Sequence, residues 1–274
     1  MYDLYAHLPR QLTALALSAC LLLGAPVAPA QAAEYRLIIQ PILPARHLIE
    51  AYQPLARYLS DATGHSIEIV ASTNFLAYWE AMRRGDHYDL LLDAAHFTDY
   101  RVKRLGYSVV AKLPDTVSYT LVTRDDVLLF DAEEMIGKTL ATVPSPSLGG
   151  VRLSQLYPNP SRQPVMIEVS DFEAALERVL SGKATGALVP SPLISGDTRF
   201  NTVLTTEPIP HMALSVSGQV DARTRAAIRD AMVSAQRTPE GQRLLRALNF
   251  TAFEPADAAM YDGYGTLLEE MWGY

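Results

Sequence analysis

Asp93, His96, Thr98 and Asp99 crowd the end of one short apolar run, Tyr88-Asp89-Leu90-Leu91-Leu92-Asp93-Ala94-Ala95-His96-Phe97-Thr98-Asp99-Tyr100. An imidazole there can donate to an anionic or carbonyl oxygen, and its charge can change near neutral pH. The competing reading is a histidine that holds the strand-to-helix turn. Arg46 and His47 follow the first apolar run; an arginine suits bidentate contact with a carboxylate or phosphate, yet one at a helix start is commonly just solvated. Asn74 offers an amide or an N-cap, and Tyr119 a donor, a stacking face or a core aromatic. Ser145, Ser147, Ser170 and Ser191 bring hydroxyls in loops. Asp93, His96 and His47 match no metal-ligand spacing. No Gly-x-Ser-x-Gly elbow, His-Glu-x-x-His pair or phosphate-loop lysine occurs. Catalysis, a metal and a cofactor are therefore not expected, and a metal-dependent hydrolase is the weakest of the readings considered.

The elements that must position these residues follow from periodicity. Tyr35 to Ile39, Ser66 to Val70, Leu90 to Asp93 and Tyr107 to Leu113 read as strands. Between them lie helical patterns ended by Gly64, Gly85 and Gly106; the last is expected from about Asp99. Pro54 interrupts the first helical pattern and is easiest to place in a first turn. Three βα units in a row predict a mostly parallel sheet with right-handed crossovers. A second α/β lobe follows over 118–206, with a short helix near Ala132 to Met135 and a clean amphipathic helix from Phe172. Thr202 to Val216 reads as paired strands carrying the chain back. Helices are expected over 221–236, from Pro239, and over 256–272. The division is thus 1–33 as signal peptide, 34–117 with 207–274 as lobe one, and 118–206 as lobe two. Ligands in open α/β folds sit at the carboxyl ends of strands, so the cleft rim should be those loops.

Composition narrows the partners. Of 274 residues about half are apolar, and the net charge is −7. An acidic chain without a Lys/Arg cluster argues against nucleic acid. Arg10, the apolar run Leu12 to Leu23 and the small residues up to Ala33 read as a secretory signal peptide, which makes the chain periplasmic. Leu17-Ser18-Ala19-Cys20 resembles a lipobox, but Leu21 to Leu23 continue the apolar run past the cysteine. Cys20 is the only cysteine, so the mature chain folds without disulfides.

Pro41, Leu55-Ala56-Arg57-Tyr58-Leu59, Gly85 with Tyr88-Asp89-Leu90, Gly137-Lys138, Ser147-Leu148-Gly149-Gly150, Glu173-Ala174-Ala175-Leu176 and Pro239-Glu240-Gly241 carry a resemblance. In their order and spacing the chain resembles the phosphate/phosphite/phosphonate (PhnD-like) substrate-binding proteins of ABC transporters, over nearly all of its mature length. The resemblance implies a two-lobed type II periplasmic binding-protein fold with two strand crossovers as hinge. It also implies a small anionic, phosphonate-like ligand and no catalysis. The family's anion-binding turn falls on Ser147, Leu148, Gly149 and Gly150, where backbone N–H groups remain as donors. A family histidine falls on Phe172 and a family aspartate on Pro190. The expected ligand set is Arg46, His47, Asn74, Asp93, Ala94, Ala95, His96, Tyr119, Ser145, Ser147 to Gly150, Ser170 and Ser191. A monomer serving an ABC permease is expected. The alternative is a ligand-sensing module for a membrane kinase or cyclase.

Overall fold

Residues 33–269 are described in a computed structural model; the signal-peptide and lipobox readings lie outside them. In chain order the first strands and helices are β1 (Glu34–Ile39), α1 (Ala45–Thr63), β2 (Ser66–Val70), α2 (Phe75–Arg84), β3 (Leu90–Asp93), α3 (Ala95–Leu105) and β4 (Ser108–Lys112). Next come β5 (Thr116–Val117), β6 (Tyr119–Arg124), β7 (Thr139–Thr142), α4 (Leu148–Leu156), β8 (Val165–Glu168), α5 (Phe172–Leu180) and β9 (Gly186–Pro190). The chain closes with β10 (Phe200–Thr205), β11 (Ile209–Pro210), β12 (Ala213–Val216), α6 (Ala222–Ser234) and α7 (Pro239–Leu248).

Two five-stranded sheets result, ordered β2-β1-β3-β12-β4 and β10-β6-β9-β7-β8. In the first, β1 pairs parallel with β2 and with β3 (Leu37 opposite Leu90), whereas β12 lies antiparallel between β3 and β4. In the second, β7 pairs parallel with β8 and β9, but β6 is antiparallel to both β9 and β10. Both sheets are mostly parallel, as expected, with one reversed strand each. The cause is connectivity. β6 and β12 arrive directly from the other sheet and start beside the strand ends: Tyr119 faces Pro190, and Ala213 faces Asp93. A strand that begins where its neighbours finish must run against them. The two passages are tied together by the antiparallel pair β5 and β11, with Ile209 opposite Val117.

Helix α1 puts Leu48, Tyr52, Leu55, Ala56 and Leu59 on one buried stripe. With α6 and α7 it covers one face of the first sheet, packing on Leu37, Ile39 and Leu92. The other face carries Ile38 and Leu91 and meets Trp79 of α2 and Phe97 of α3. That cluster continues without a break into Leu121, Leu140 and Val189 of the second sheet. Gly64 and Gly106 end α1 and α3 at φ of 73° and 70°, a region that costs a side chain but not glycine.

Three local expectations are corrected. Helix α3 starts at Ala95 and not Asp99, because Ala94 is extended and the buried Ala95, His96 and Phe97 are already helical. Pro54 lies inside α1, which begins at Ala45; the stripe on both sides of the proline carries the helix through the missing donor. The terminal segment forms two short 3-10 turns, Ala258–Tyr261 and Tyr264–Leu268, with Gly263 left-handed between them.

At the end of β3 the Asp93 carboxylate is fully buried. It accepts from Arg101 Nε at 2.8 Å, from the Tyr78 hydroxyl at 2.7 Å and from the Thr98 hydroxyl at 3.0 Å. Arg101, itself buried, also donates to the Tyr78 oxygen at 2.7 Å. Removing the guanidinium strands a dry carboxylate. Arg101→Met is expected to lower stability by about 3–5 kcal/mol in urea unfolding, and Asp93→Leu with Arg101→Met is expected to lower it less.

Candidate ligand-binding cleft

A cavity of about 280 Å³ opens where the two sheets present their strand ends. Gln40, Ile42 and Leu43, just after β1, and Ala94, just after β3, form one wall. Leu148 at the start of α4, and Asp171, Phe172 and Glu173 at the start of α5, form the opposite wall. Val117, Tyr119, His211 and Met212 on the two passages close the back, and Pro190 at the end of β9 with Pro192 and Leu193 after it complete the lining. The first N–H groups of α4 and α5 have no acceptor within their own helices; those of Gly150 and Ala174 are taken by the capping side chains of Ser147 and Asp171.

Three of the sequence-derived candidates line the cavity: Ala94, Tyr119 and Leu148. Tyr119 stands edge-on to Phe172, with ring centres 5.9 Å apart, and its ring lies where a Cβ on Gly149 would come within 3.2 Å. Gly150 sits against the backbone of Pro144 and Ser145, so closely that any Cβ would collide with it. Ser147 caps α4: its hydroxyl donates to Val143 O at 2.7 Å and accepts from Gly150 N–H at 3.0 Å. Both hydrogen-bonding functions of that hydroxyl are thereby occupied in the fold.

The other candidates lie elsewhere. Arg46 pairs with Glu50 at 3.0 Å, and His47 beside it is exposed. Asn74 caps α2 by accepting from Ala77 N–H at 2.8 Å. Asp93 faces Arg101, and Ala95 is packed in the core. Ser145 lines two neighbouring hollows, one shared with Thr266 and Leu267 and one with Gln163 and Met166. The Ser170 hydroxyl donates to Asp171 Oδ2 at 2.8 Å, and Ser191 shares a hydrogen bond of 2.7 Å with Thr120. Sequence reasoning passed over Gln40, Ile42, Leu43, Val117, Leu193, His211 and Met212. Their signal was positional only: each follows a strand end or sits on a passage. No group of three His, Cys, Asp or Glu side chains that could hold a metal occurs among the described residues.

The family described as the periplasmic substrate-binding protein of the phosphonate ABC transporter matches residues 37–261. The chain belongs to this family. Family members work with an ABC permease, bind small molecules and are periplasmic. No curated protein matches the chain. Among solved structures, PhnD1 from Prochlorococcus marinus in complex with methylphosphonate has a TM-score of 0.73 at 10% identity, covering 86% of this chain and 97% of that one. A binding-protein component of an ABC phosphonate transporter from Pseudomonas aeruginosa has a TM-score of 0.71 at 14% identity, covering 84% and 83%. XAC2383 from Xanthomonas citri, bound to ATP, has a TM-score of 0.70 at 15% identity, covering 88% and 100%. The fold is the two-lobed type II periplasmic binding-protein fold, and the two sheets are the cores of its lobes.

In this binding protein His96 joins the lobes. Its Nε2 lies 2.9 Å from Pro146 O; a carbonyl can only accept, so Nε2 carries the proton and Nδ1 is bare. Nδ1 is buried without a hydrogen-bond partner. Burial pushes the His96 pKa down to about 4, against a smaller upward pull from the Pro146 carbonyl. His211 is also pushed down to about 4, by burial and by Lys112. Between pH ~6.5 and 4 the unfolded chain therefore binds protons that the native state refuses, so stability is full above that window and falls on acidification. His96 alone accounts for about 3 kcal/mol. Urea unfolding from pH 8 to 4 should show this slope, and His96→Gln should flatten it.

Proposed function

We propose that this protein is exported by its N-terminal signal peptide, captures a small ligand in the 280 Å³ cleft as a monomer, and presents the closed form to an ABC permease without altering the ligand. One observation carries the reading: the cavity walls come from both lobes, at the carboxyl ends of the strands and the starts of α4 and α5. A ligand there gains both sets of contacts only when the lobes are together, so binding favours closure. The residue blocks 34–117 with 207–274, and 118–206, act as the moving lobes. The short β5 and β11 pair, where the chain passes twice between them, acts as the hinge.

Phosphonates are the first class to test, because the matched family is described by them and the Prochlorococcus relative holds methylphosphonate. The first N–H groups of α4 and α5 supply donors for an oxygen-bearing head, as helix starts do for anions. A thermal-shift screen of the purified protein against phosphonates, phosphite, sulfonates and small carboxylates is expected to raise the melting temperature. Ligand at about a hundred times its dissociation constant adds about 2.7 kcal/mol. Small-angle scattering with the same compound should show a smaller radius of gyration, and the compound should be recovered unchanged by NMR. Ligand binding with no change in radius would sink the closure reading.

A further inference from the structure

Two donors on largely buried side chains open into the cleft and have no partner among the described residues. Gln40 is 6% exposed, and its Oε1 accepts from Ala94 N–H at 3.0 Å. The N–H needs an acceptor, so the amide orientation is settled, and Nε2 is the end left over. That nitrogen makes no hydrogen bond among the described residues, and Gln40 lines the cavity. Tyr119 is 7% exposed, and its hydroxyl likewise has no hydrogen-bond partner among the described residues, although its ring is wedged against Phe172 and Gly149. Neither atom is sealed from solvent, so both are open to water in the cavity, and a ligand that displaces that water must bring acceptors in its place.

The rest of the lining limits what bears those acceptors. Ile42, Leu43, Val117, Phe172, Leu193 and Met212 present hydrocarbon. No lysine or arginine lines the cavity; its charged side chains are Asp171 and Glu173. His211 supplies no positive charge at neutral pH, since burial holds its pKa at about 4. Outside the lining, the charges of Arg152 and Lys112 act on Tyr119 and His211, so an anionic head is balanced only at a distance. A small hydrophilic ion would also leave the hydrocarbon walls uncovered, in a space with room for about nine water molecules.

We infer that the ligand of this cleft is an organic compound with an apolar, branched or aromatic body and an oxygen acceptor facing Gln40 Nε2 and the Tyr119 hydroxyl. This rests on the capture reading above and specifies its substrate class. The body is recognised by the walls of both lobes, and the head by two side chains, one from each side of the first crossover. Apolar area removed from water then sets affinity, and the two donors set orientation.

Isothermal titration of the purified protein with paired probes tests this. Methylphosphonate against phenylphosphonate, acetate against benzoate, and acetamide against benzamide share a head and differ in body. The aromatic member of each pair should bind about tenfold or more tightly, and benzamide should bind at least as well as phenylphosphonate. Tyr119→Phe removes a hydroxyl that no protein group uses, so the melting temperature of the free protein should hold while the best probe weakens about three- to tenfold. Gln40→Glu keeps an acceptor for Ala94 N–H but removes the Nε2 donor, and should weaken the same probe at least as much. If methylphosphonate binds as tightly as the aromatic probes, or both variants bind unchanged, the inference falls and ligand capture stands. If none of the six probes binds at millimolar concentration, both fall.

Discussion

Asp93 ends the central strand of lobe one in a dry interior, where a carboxylate survives only against a fixed cation, and Arg101 supplies that cation from two turns along the helix that follows. The pair does more than cancel charge. Tyr78 of α2 bonds to both partners and Thr98 to the carboxylate, so β3, α2 and α3 share one junction. The direction in which α3 leaves the strand follows from it. That direction places Ala94 on the cleft wall, seats its N–H on Gln40, and carries His96 to Pro146 of the other lobe. The polar end of β3 thus organises the cleft from behind its wall.

The second determinant is the path of the chain. Because β6 and β12 begin where the other strands end, both passages between the lobes run beside the ligand cavity. Residues with no strand-end or helix-start signature, Val117 and Met212, become lining for that reason. In the proposed closure the same short segments would serve as hinge and touch the ligand. His96 adds a hydrogen bond across the gap, contributed by a neutral imidazole at physiological pH. The cleft lining has hydrocarbon on most sides and acidic groups at the start of α5, a wall chemistry that belongs to this chain's own side chains.

Much of the fold was legible because local physics decided it. The apolar runs at Leu37 to Ile39 and Leu90 to Leu92 had to be strands buried on both faces. The stripe from Leu48 to Leu59, ended by Gly64, had to be a helix. Asn74, Ser147 and Asp171 cap the helices that follow them. Pro54 was misplaced because a tertiary stripe overrode its helix-breaking tendency, and the terminal segment because glycine interrupts an otherwise helical composition. The candidate site was less legible. His96, Asp93 and Asn74 have the chemistry of ligand groups, yet their hydrogen-bonding atoms meet Pro146, Arg101 and Ala77. Gln40 had only its place after a strand to mark it.

By itself the amino-acid order determined the βα rhythm, the two lobes' worth of strands, the glycine ends of the first three helices and the family, since each rests on patterns within a few turns or on short motifs in register. Tertiary structure decided which strand lies between β3 and β4, which polar side chains face each other, and which donors remain unpaired in the cavity. The physical reason is the range of the interactions. Periodicity and capping act between neighbours in the chain, whereas pairing a buried carboxylate, satisfying an imidazole or leaving an amide free depends on residues dozens of positions away. Those partners are fixed only when the two passages bring both sheets' strand ends to one place.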